Sequence, residues 1–321
     1  MIVLTGAAGF IGFHVARRLG AAGRSIVGVD SLNSYYDPAL KRARLDILRE
    51  LPSFRFVEAD IAAEGALEAA LAPRDVGAII HLAAQAGVRH SLEAPFEYER
   101  ANIAGHLRVL EYARRAESLK HLVYASSSSV YGDRADGPFR ETDRCDAPAS
   151  LYAATKRSCE LMSETYARLF AIPQTGLRFF TVYGPFGRPD MAYWTFTKKI
   201  LAGEEVTLYG EGELARDFTY IDDMAPAIVR ALDRPPADEP PHRIINLGNH
   251  KPHTVLELVA AIETATGKTA KRVLAPRNVV EVQSTFADIT RARALYEFEP
   301  STSLHDGVAR FVSWYRQYTN S

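Results

Sequence analysis

An α/β fold, built on a doubly wound parallel sheet with a smaller C-terminal substrate-binding domain, follows from three features of this 321-residue sequence. The chain opens with a short apolar run, Met1 to Thr5, that leads at once into Gly6-Ala-Ala-Gly9-Phe-Ile-Gly12 and an apolar-periodic helix through Phe13, Val15, Ala16 and Leu19. Short apolar strands then alternate with helices as far as Leu177, the pattern of a parallel sheet covered on both faces. Beyond residue 180 that alternation gives way to aromatic and mixed segments such as Tyr193-Trp194 and Leu208-Tyr209-Gly210.

Strand, glycine turn and helix in succession predict a Rossmann-type dinucleotide site, here spaced Gly-x-x-Gly-x-x-Gly rather than the Gly-x-Gly-x-x-Gly of many dehydrogenases. Gly6 permits the tight turn, Gly9 lets the backbone approach a pyrophosphate, and Gly12 lets the helix pack on the strand. Phe10 and Ile11 then start a helix whose N-terminal N–H groups face the anion. The strand Ser25 to Val29 ends in Asp30, 18 residues after Gly12. A carboxylate there accepts hydrogen bonds from a ribose diol and repels a 2′-phosphate, which selects NAD over NADP. Phe54 to Val57 is a third strand, and Asp60-Ile61 after it suits the adenine amino group. Ala78 to His81 is a fourth, leading to Leu82-Ala83-Ala84, small residues that let a cofactor lie against the backbone. Asn102 opens a helix to Arg115, and Leu122 to Tyr124 begins a fifth strand that ends in Ser126 and Ser127.

Tyr152 and Lys156 lie four residues apart at the start of the next helix, so phenol and ammonium share a face. A free tyrosine titrates near pH ~10, and holding it as phenolate near neutrality asks for roughly 3 units, about 4 kcal/mol, which an adjacent buried cation supplies. Such a base beside a serine hydroxyl removes a proton from a sugar alcohol while hydride leaves for a nicotinamide. With 15 tyrosines in the chain, Tyr-x-x-x-Lys recurs by chance roughly 0.4 times. Its position behind the serine-ending strand carries the argument.

Composition narrows the function classes. Hydrophobic content of 47 % and charged content of 24 % are those of an ordinary globule, and a net charge of −1 speaks against nucleic acid or an anionic membrane as partner. Cys145 and Cys159 are too few for a disulfide framework, and no Cys/His cluster has metal-ligand spacing. No apolar run is long enough to span a membrane, and a cytoplasmic location is expected. After Gln174 to Leu177, a sixth strand, the chain leaves the sheet at Phe180-Thr181. It returns with a helix from near Asp222 and a strand Arg243 to Leu247, and it ends with helices Val255 to Thr266 and Leu304 to Tyr318. Residues 1–180 form the expected cofactor domain and 181–321 the substrate domain, with the return to the main sheet within 219–250.

Gly6-x-x-Gly9-x-x-Gly12, Asp30, the serine run, Tyr152-x-x-x-Lys156 and Arg216-Asp217-Phe218, in that order, resemble the extended short-chain dehydrogenase/reductase family over essentially the whole chain. The finer resemblance is to nucleotide-sugar epimerases of the UDP-glucuronate 4-epimerase kind. It rests on Asp30-Ser-Leu-Asn33-Ser-Tyr-Tyr-Asp37, Ser126 to Gly132 and Phe180-Thr181-Val-Tyr-Gly-Pro-Phe-Gly-Arg188-Pro-Asp190-Met191. The resemblance implies Ser127, Tyr152 and Lys156 as catalytic residues, tightly bound NAD, and a homodimer formed through a four-helix bundle. It places Asn33 and Asn102 on the cofactor. Ser128, Thr181, Tyr209 and Arg216 fall on the UDP-sugar, with Tyr209 offering a face for uracil and Arg216 neutralising pyrophosphate. Arg188 and Arg89 are the rival readers of a C6 carboxylate.

Related dehydratases place Asp-Glu, and decarboxylases a Glu, where this chain has Ser128 and Ser129; no carboxyl group is there to remove a C5 proton or assist elimination. UDP-glucose/galactose epimerases carry Asn where Thr181 stands. The chain departs from the pattern at Val280-Glu281-Val282, where relatives have Gly-Asp-Val, and this leaves the uridine contacts there, including those of Arg277, open. The alternatives are another UDP-sugar 4-epimerase, a dehydrogenase that exchanges external NAD(H), and a non-catalytic NAD-binding regulatory protein of the same fold. The bundle is expected from Leu107, Val109 and Leu110 on one helix and Leu161, Met162 and Leu169 on the other.

Overall fold

The computed structural model describes residues 1–134, 137–277 and 282–320. Seven parallel strands form the main sheet in the order β10-β6-β5-β4-β1-β2-β3. They are β1 (Ile2–Thr5), β2 (Ile26–Asp30), β3 (Phe54–Glu58), β4 (Ala78–His81), β5 (His121–Ser127), β6 (Gln174–Phe179) and β10 (His242–Leu247). Every residue of β1, β2, β4 and β6 is buried, as both-face coverage by helices requires. The covering helices are α1 (Phe10–Ala21), α2 (Pro38–Arg49), α3 (Ala66–Ala70), α6 (Gly105–Arg114), α7 (Leu151–Phe170) and α9 (Ile221–Leu232), with short helices α4 (His90–Glu93) and α5 (Pro95–Tyr98) after β4. α1 packs on α9, and β10 pairs in register with β6 through Leu247 and Phe179. The chain therefore returns to the main sheet through α9 and β10.

The remaining elements form a smaller layer beside the C-terminal ends of the strands. β7 (Thr181–Tyr183), β9 (Ala215–Tyr220) and β11 (Pro252–Thr254) make a three-stranded sheet, and β8 (Glu205–Tyr209) pairs in parallel with β12 (Lys271–Ala275). α8 (Ala192–Ala202), α10 (Val255–Thr266) and α12 (Leu304–Thr319) pack on one another, and α11 (Thr290–Tyr296) lies against β10. Thr254 and Glu257 close a reciprocal capping box at the start of α10, which satisfies N–H groups a helix start otherwise leaves open.

Two expectations need correction. Asn102 does not open a helix: it sits inside a π-helical turn, Glu99–Ala104, that runs on from α5 into α6. Its carboxamide explains the widened turn, since Oδ1 accepts from Gln85 N at 2.8 Å while Nδ2 donates to Gln85 O and Thr155 Oγ1, both at 3.0 Å. The apolar surplus on α6 and α7 is also smaller than expected. Val109 and Leu110 are fully buried against the chain's own sheet residues, and Met162 packs partly against the same cluster. Leu107 (41 % exposed), Leu161 (49 %) and Leu169 (65 %) do face outward.

A buried ion pair fixes α7 against the sheet. Glu160 accepts from Arg178 Nε at 2.8 Å and Nη2 at 2.9 Å, from Ser126 Oγ at 2.6 Å and from Arg157 Nη1 at 2.9 Å. Burial works against the Glu160 charge, but Arg178, Ser126 and Arg157 outweigh it and hold the carboxyl below the usual range. Its contribution to stability is complete above the unfolded-state value near pH ~4.3 and is lost as pH falls through the lower folded value. Glu160→Ala strands the Arg178 cation in the interior, and the expected loss is about 3–5 kcal/mol in urea unfolding at neutral pH. A loss below about 1 kcal/mol would place the pair among solvent-screened bridges instead.

Candidate active site

The glycine turn closes where the sequence puts it. Gly6 has φ +73°, and a Cβ there would lie 2.7 Å from Ala83 N; at Gly12 a Cβ would lie 2.0 Å from Gly6 O. Gly9 caps α1 with no side-chain acceptor, so the first amides of the helix point into open space. This is a cradle for an anion pressed against backbone. Asp30 at the end of β2 accepts from Ala8 N at 3.1 Å and Leu32 N at 2.9 Å, which holds its carboxylate at the rim. Asp60 accepts from Ala62 N and pairs with Arg100. The residues present fit a dinucleotide.

A cavity of about 940 Å³ runs from this cradle across the C-terminal ends of the strands to the smaller layer. Every residue assigned above to catalysis, cofactor or substrate lines it except Asn102 and Arg277. Asn102 acts one step behind, clamping the Gln85 backbone on the cavity wall. Arg277 pairs with Asp133 away from the lining, and Val280 and Glu281 of the atypical loop lie outside the described residues.

At the cavity's centre, Ser150 caps α7 by accepting from Ala153 N at 3.1 Å, which sets the first turn bearing Tyr152. One turn on, Lys156 Nζ donates to Ala125 O at 3.0 Å. The next residue of β5, Ser126, is bound to Glu160 on the same helix, so α7 grips two successive residues of the strand before Ser127. Ser127 Oγ accepts from Ser129 Oγ at 2.9 Å and Ser129 N at 3.2 Å. Tyr98 stands edge-on to Tyr152 with ring centres 6.1 Å apart, and its hydroxyl bonds Ala86 O at 2.8 Å.

A family model described as the NAD dependent epimerase/dehydratase family matches residues 2–248. The chain belongs to that family. Among its relatives, a probable UDP-glucuronate 4-epimerase of Rhizobium meliloti is 46% identical, with 98% of this chain and 96% of that one covered. UDP-glucuronate 4-epimerase 1 of Arabidopsis thaliana is 44% identical over 99% of this chain and 77% of its own. Of solved structures, UDP-glucuronic acid 4-epimerase from Bacillus cereus, in complex with UDP-glucuronic acid and NAD, superimposes with a TM-score of 0.91 at 33% identity, covering 99% of each chain. The resemblance read from the motifs is borne out at the family level, and so is the doubly wound fold.

In this epimerase/dehydratase chain the substrate-side cations are already engaged. The Arg89 guanidinium lies 4.6 Å from the Tyr209 ring centre, so one face of the tyrosine expected to receive uracil is covered. Arg216 donates to Ala215 O at 2.8 Å. Arg188 forms a fork with Asp190, Nε to Oδ1 at 3.0 Å and Nη2 to Oδ2 at 2.5 Å.

The sequence reading missed Lys41, Tyr35, Asp190 and Lys199, which also line the cavity. Lys41 holds Asn33 through Oδ1 at 2.6 Å and the backbone carbonyl at 2.9 Å, and burial draws its ammonium below the usual range against the pull of Asp30. The Asp37-Pro38 pair, an N-cap followed by proline at the first helical position, was the available signal for the helix that carries it. Arg44, completely buried on that helix, spends all five N–H groups: on Phe186 O twice, Gly187 O, Ala8 O and Tyr36 Oη, at 2.7 to 3.1 Å. It thereby bolts the turn before Arg188 to the glycine loop.

Asp217, beside Arg216, accepts from Asn249 N, from His250 N at 3.1 Å and from Ala287 N at 3.0 Å, gathering two loops behind the cavity. Burial pushes its carboxyl up to about 6 against those donors. The folded state thus binds this proton more tightly than the unfolded chain, so the contribution is full below pH ~3.9 and is lost as pH rises through the folded value. Against Asp217→Asn, the parent protein should lose about 2 kcal/mol of relative unfolding free energy between pH ~4 and ~7. A relative gain over that interval would show that the backbone donors outweigh burial.

Proposed function

We propose that the protein is a UDP-glucuronate 4-epimerase that interconverts UDP-glucuronate and UDP-galacturonate, with NAD as its tightly held cofactor. The observation that supports it most is the joining of Ser127, Tyr152 and Lys156 to the glycine cradle by one cavity wall, with serines rather than carboxylates at 128 and 129. Residues 1–180 hold the cofactor, Gly6, Gly9 and Gly12 facing pyrophosphate and Asp30 the adenosine ribose. Residues 181–321 supply the nucleotide-sugar side, the chain crossing back within 219–250. When bound, NAD supplies the group that takes hydride from C4 of the sugar and returns it.

The chain's own residues do the rest. Tyr152, as phenolate, takes the proton of the 4-hydroxyl, and Lys156 brings the positive charge that this state needs. Ser127 orients the hydroxyl; its own oxygen already accepts from Ser129, which leaves its hydrogen for a substrate oxygen. Arg216 faces the pyrophosphate, while Thr181 and Ser128 border the sugar. The oxidised sugar turns about its pyrophosphate linkage and presents its other face, and Tyr152 gives the proton back. Ser128 and Ser129 offer no base for C5, so elimination does not compete.

The Arg188–Asp190 fork favours one second reading, a UDP-glucose/galactose-type epimerase, because a neutralised arginine is also a fit wall for an uncharged sugar. Arg188→Ala separates the two. On the glucuronate reading it should cut kcat/KM for UDP-glucuronate by roughly 10- to 150-fold and change UDP-glucose turnover little. If that ratio collapses in Arg89→Ala instead, Arg89 reads the carboxylate; if neither variant moves it, the glucuronate assignment is wrong.

Tyr152→Phe should abolish turnover while leaving UDP binding nearly intact, since it removes one proton acceptor and almost no volume. Turnover within about tenfold of the parent would take Tyr152 out of the base role. Leu107, Leu161 and Leu169 also support a homodimer across a four-helix bundle of two α6–α7 pairs, in a cytoplasmic enzyme. Sedimentation at micromolar concentration should give a dimer that Leu161→Glu weakens, and a monomeric parent would contradict it.

A further inference from the structure

Two stretches far apart in sequence meet at the cavity wall: the loop after β2 that carries Tyr35, and the turn that carries Arg188 and Asp190. Tyr35 Oη donates to Asp190 Oδ2 at 3.1 Å, and Asp190 in turn holds Arg188 in the fork already described. Neither loop is at liberty to drift. Arg44 fixes Phe186 and Gly187 just before Arg188, and Tyr193 Oη accepts from Arg188 N at 3.2 Å. Tyr35 is pressed against Gly87, where φ is +103° and a Cβ would lie 2.3 Å from the Tyr35 oxygen. All three side chains line the cavity.

The charge of this cluster matters to the substrate. The fork uses Nε and one Nη2 hydrogen of Arg188, which leaves both Nη1 hydrogens and one on Nη2 outside it for a second acceptor. A sugar carboxylate that takes them meets a cation whose charge Asp190 already balances, with a like charge directly behind it. We propose that Asp190, held by Tyr35, is a specificity-setting counter-ion: it offsets part of the attraction of Arg188 for the C6 carboxylate, so that the group is recognised without being locked. The reaction needs this balance. The ring must present both of its faces in one site, and a grip that deepens the bound ground state without following the turn lowers KM and kcat together. Asp190 keeps Arg188 oriented between turnovers and leaves the hydrogens outside the fork to the substrate. The inference rests on the glucuronate reading and on Arg188 as the carboxylate reader.

The test uses the NAD-loaded protein in a Tyr152→Phe background, where UDP-sugars bind without turning over, and compares Asp190→Asn with Tyr35→Phe by titration calorimetry. Asp190→Asn removes the competing charge at constant shape and should tighten UDP-glucuronate by about tenfold, the size of one charge-assisted contact, with UDP-glucose unchanged. Tyr35→Phe removes the donor that spreads the Asp190 charge, strengthens the fork, and should weaken UDP-glucuronate. With Tyr152 restored, Asp190→Asn should lower KM and kcat for UDP-glucuronate by similar factors. Opposite signs in two near-isosteric variants are not expected of a support that merely keeps Arg188 in place. Weaker or unchanged UDP-glucuronate binding in Asp190→Asn, or equal changes for both sugars, overturns the inference while leaving the epimerase reading standing. If the parent protein does not epimerise UDP-glucuronate, the epimerase reading fails first and this inference falls with it.

Discussion

The seating of α7 on β5 is the constraint on which the rest of the site depends. One helix carries Tyr152, Lys156 and Glu160 at four-residue intervals, and Lys156 and Glu160 bond successive residues of β5. Glu160 reaches the Ser126 hydroxyl and Arg178 deep in the core, Lys156 reaches the Ala125 carbonyl, and Tyr152 lines the cavity that Ser127 also lines. A slip of the helix by one residue would rotate all three by about 100° and break every contact together. A buried ion pair is costly to assemble, and its use here is to specify one register.

A second constraint joins the glycine loop to the turn that carries Arg188. Arg44 satisfies its whole guanidinium on neutral oxygens, from the glycine loop, from the turn before Arg188 and from the Tyr36 hydroxyl. The glycine cradle and the turn that carries Arg188 are thus bonded to the same side chain. Asp217 plays the corresponding part on the far side of the cavity, where it collects backbone donors from the 248–250 and 285–287 segments behind Arg216. A sugar that turns while its nucleotide stays fixed needs walls of this kind: rigid around the anchor and close to charge-neutral around the moving ring.

What the sequence revealed were features written in local spacing. The glycine turn, the strand ending at Asp30, the serine run and the Tyr152 helix each depend on residues within one or two turns of one another, and each appears where expected. Features that depend on partners far along the chain did not show. Glu160 and Arg178, 18 residues apart, carry no local sign of the pair they form in the fold, and Asp190 carries none of its fork with Arg188. α2 went unread, although Leu40, Leu45 and Leu48 form its buried stripe and it places both Lys41 and Arg44. β8 and β12 pair across more than sixty residues with β12 largely exposed, which leaves little hydrophobic pattern to find. The same limit explains the α6 surplus: Val109 and Leu110 look like spare apolar residues until the core that takes them is known.

The central claim is that this cavity reverses a sugar carbinol centre with a cofactor it already holds. Purified protein incubated with UDP-glucuronate, with no NAD⁺ added, tests it most directly, the nucleotide sugars being separated and identified by chromatography and proton NMR. The account predicts UDP-galacturonate, formed to an equilibrium mixture that is the same from either epimer. Failure to form any product without added NAD⁺, or loss of carbon dioxide or water from the sugar in place of inversion at C4, would contradict it.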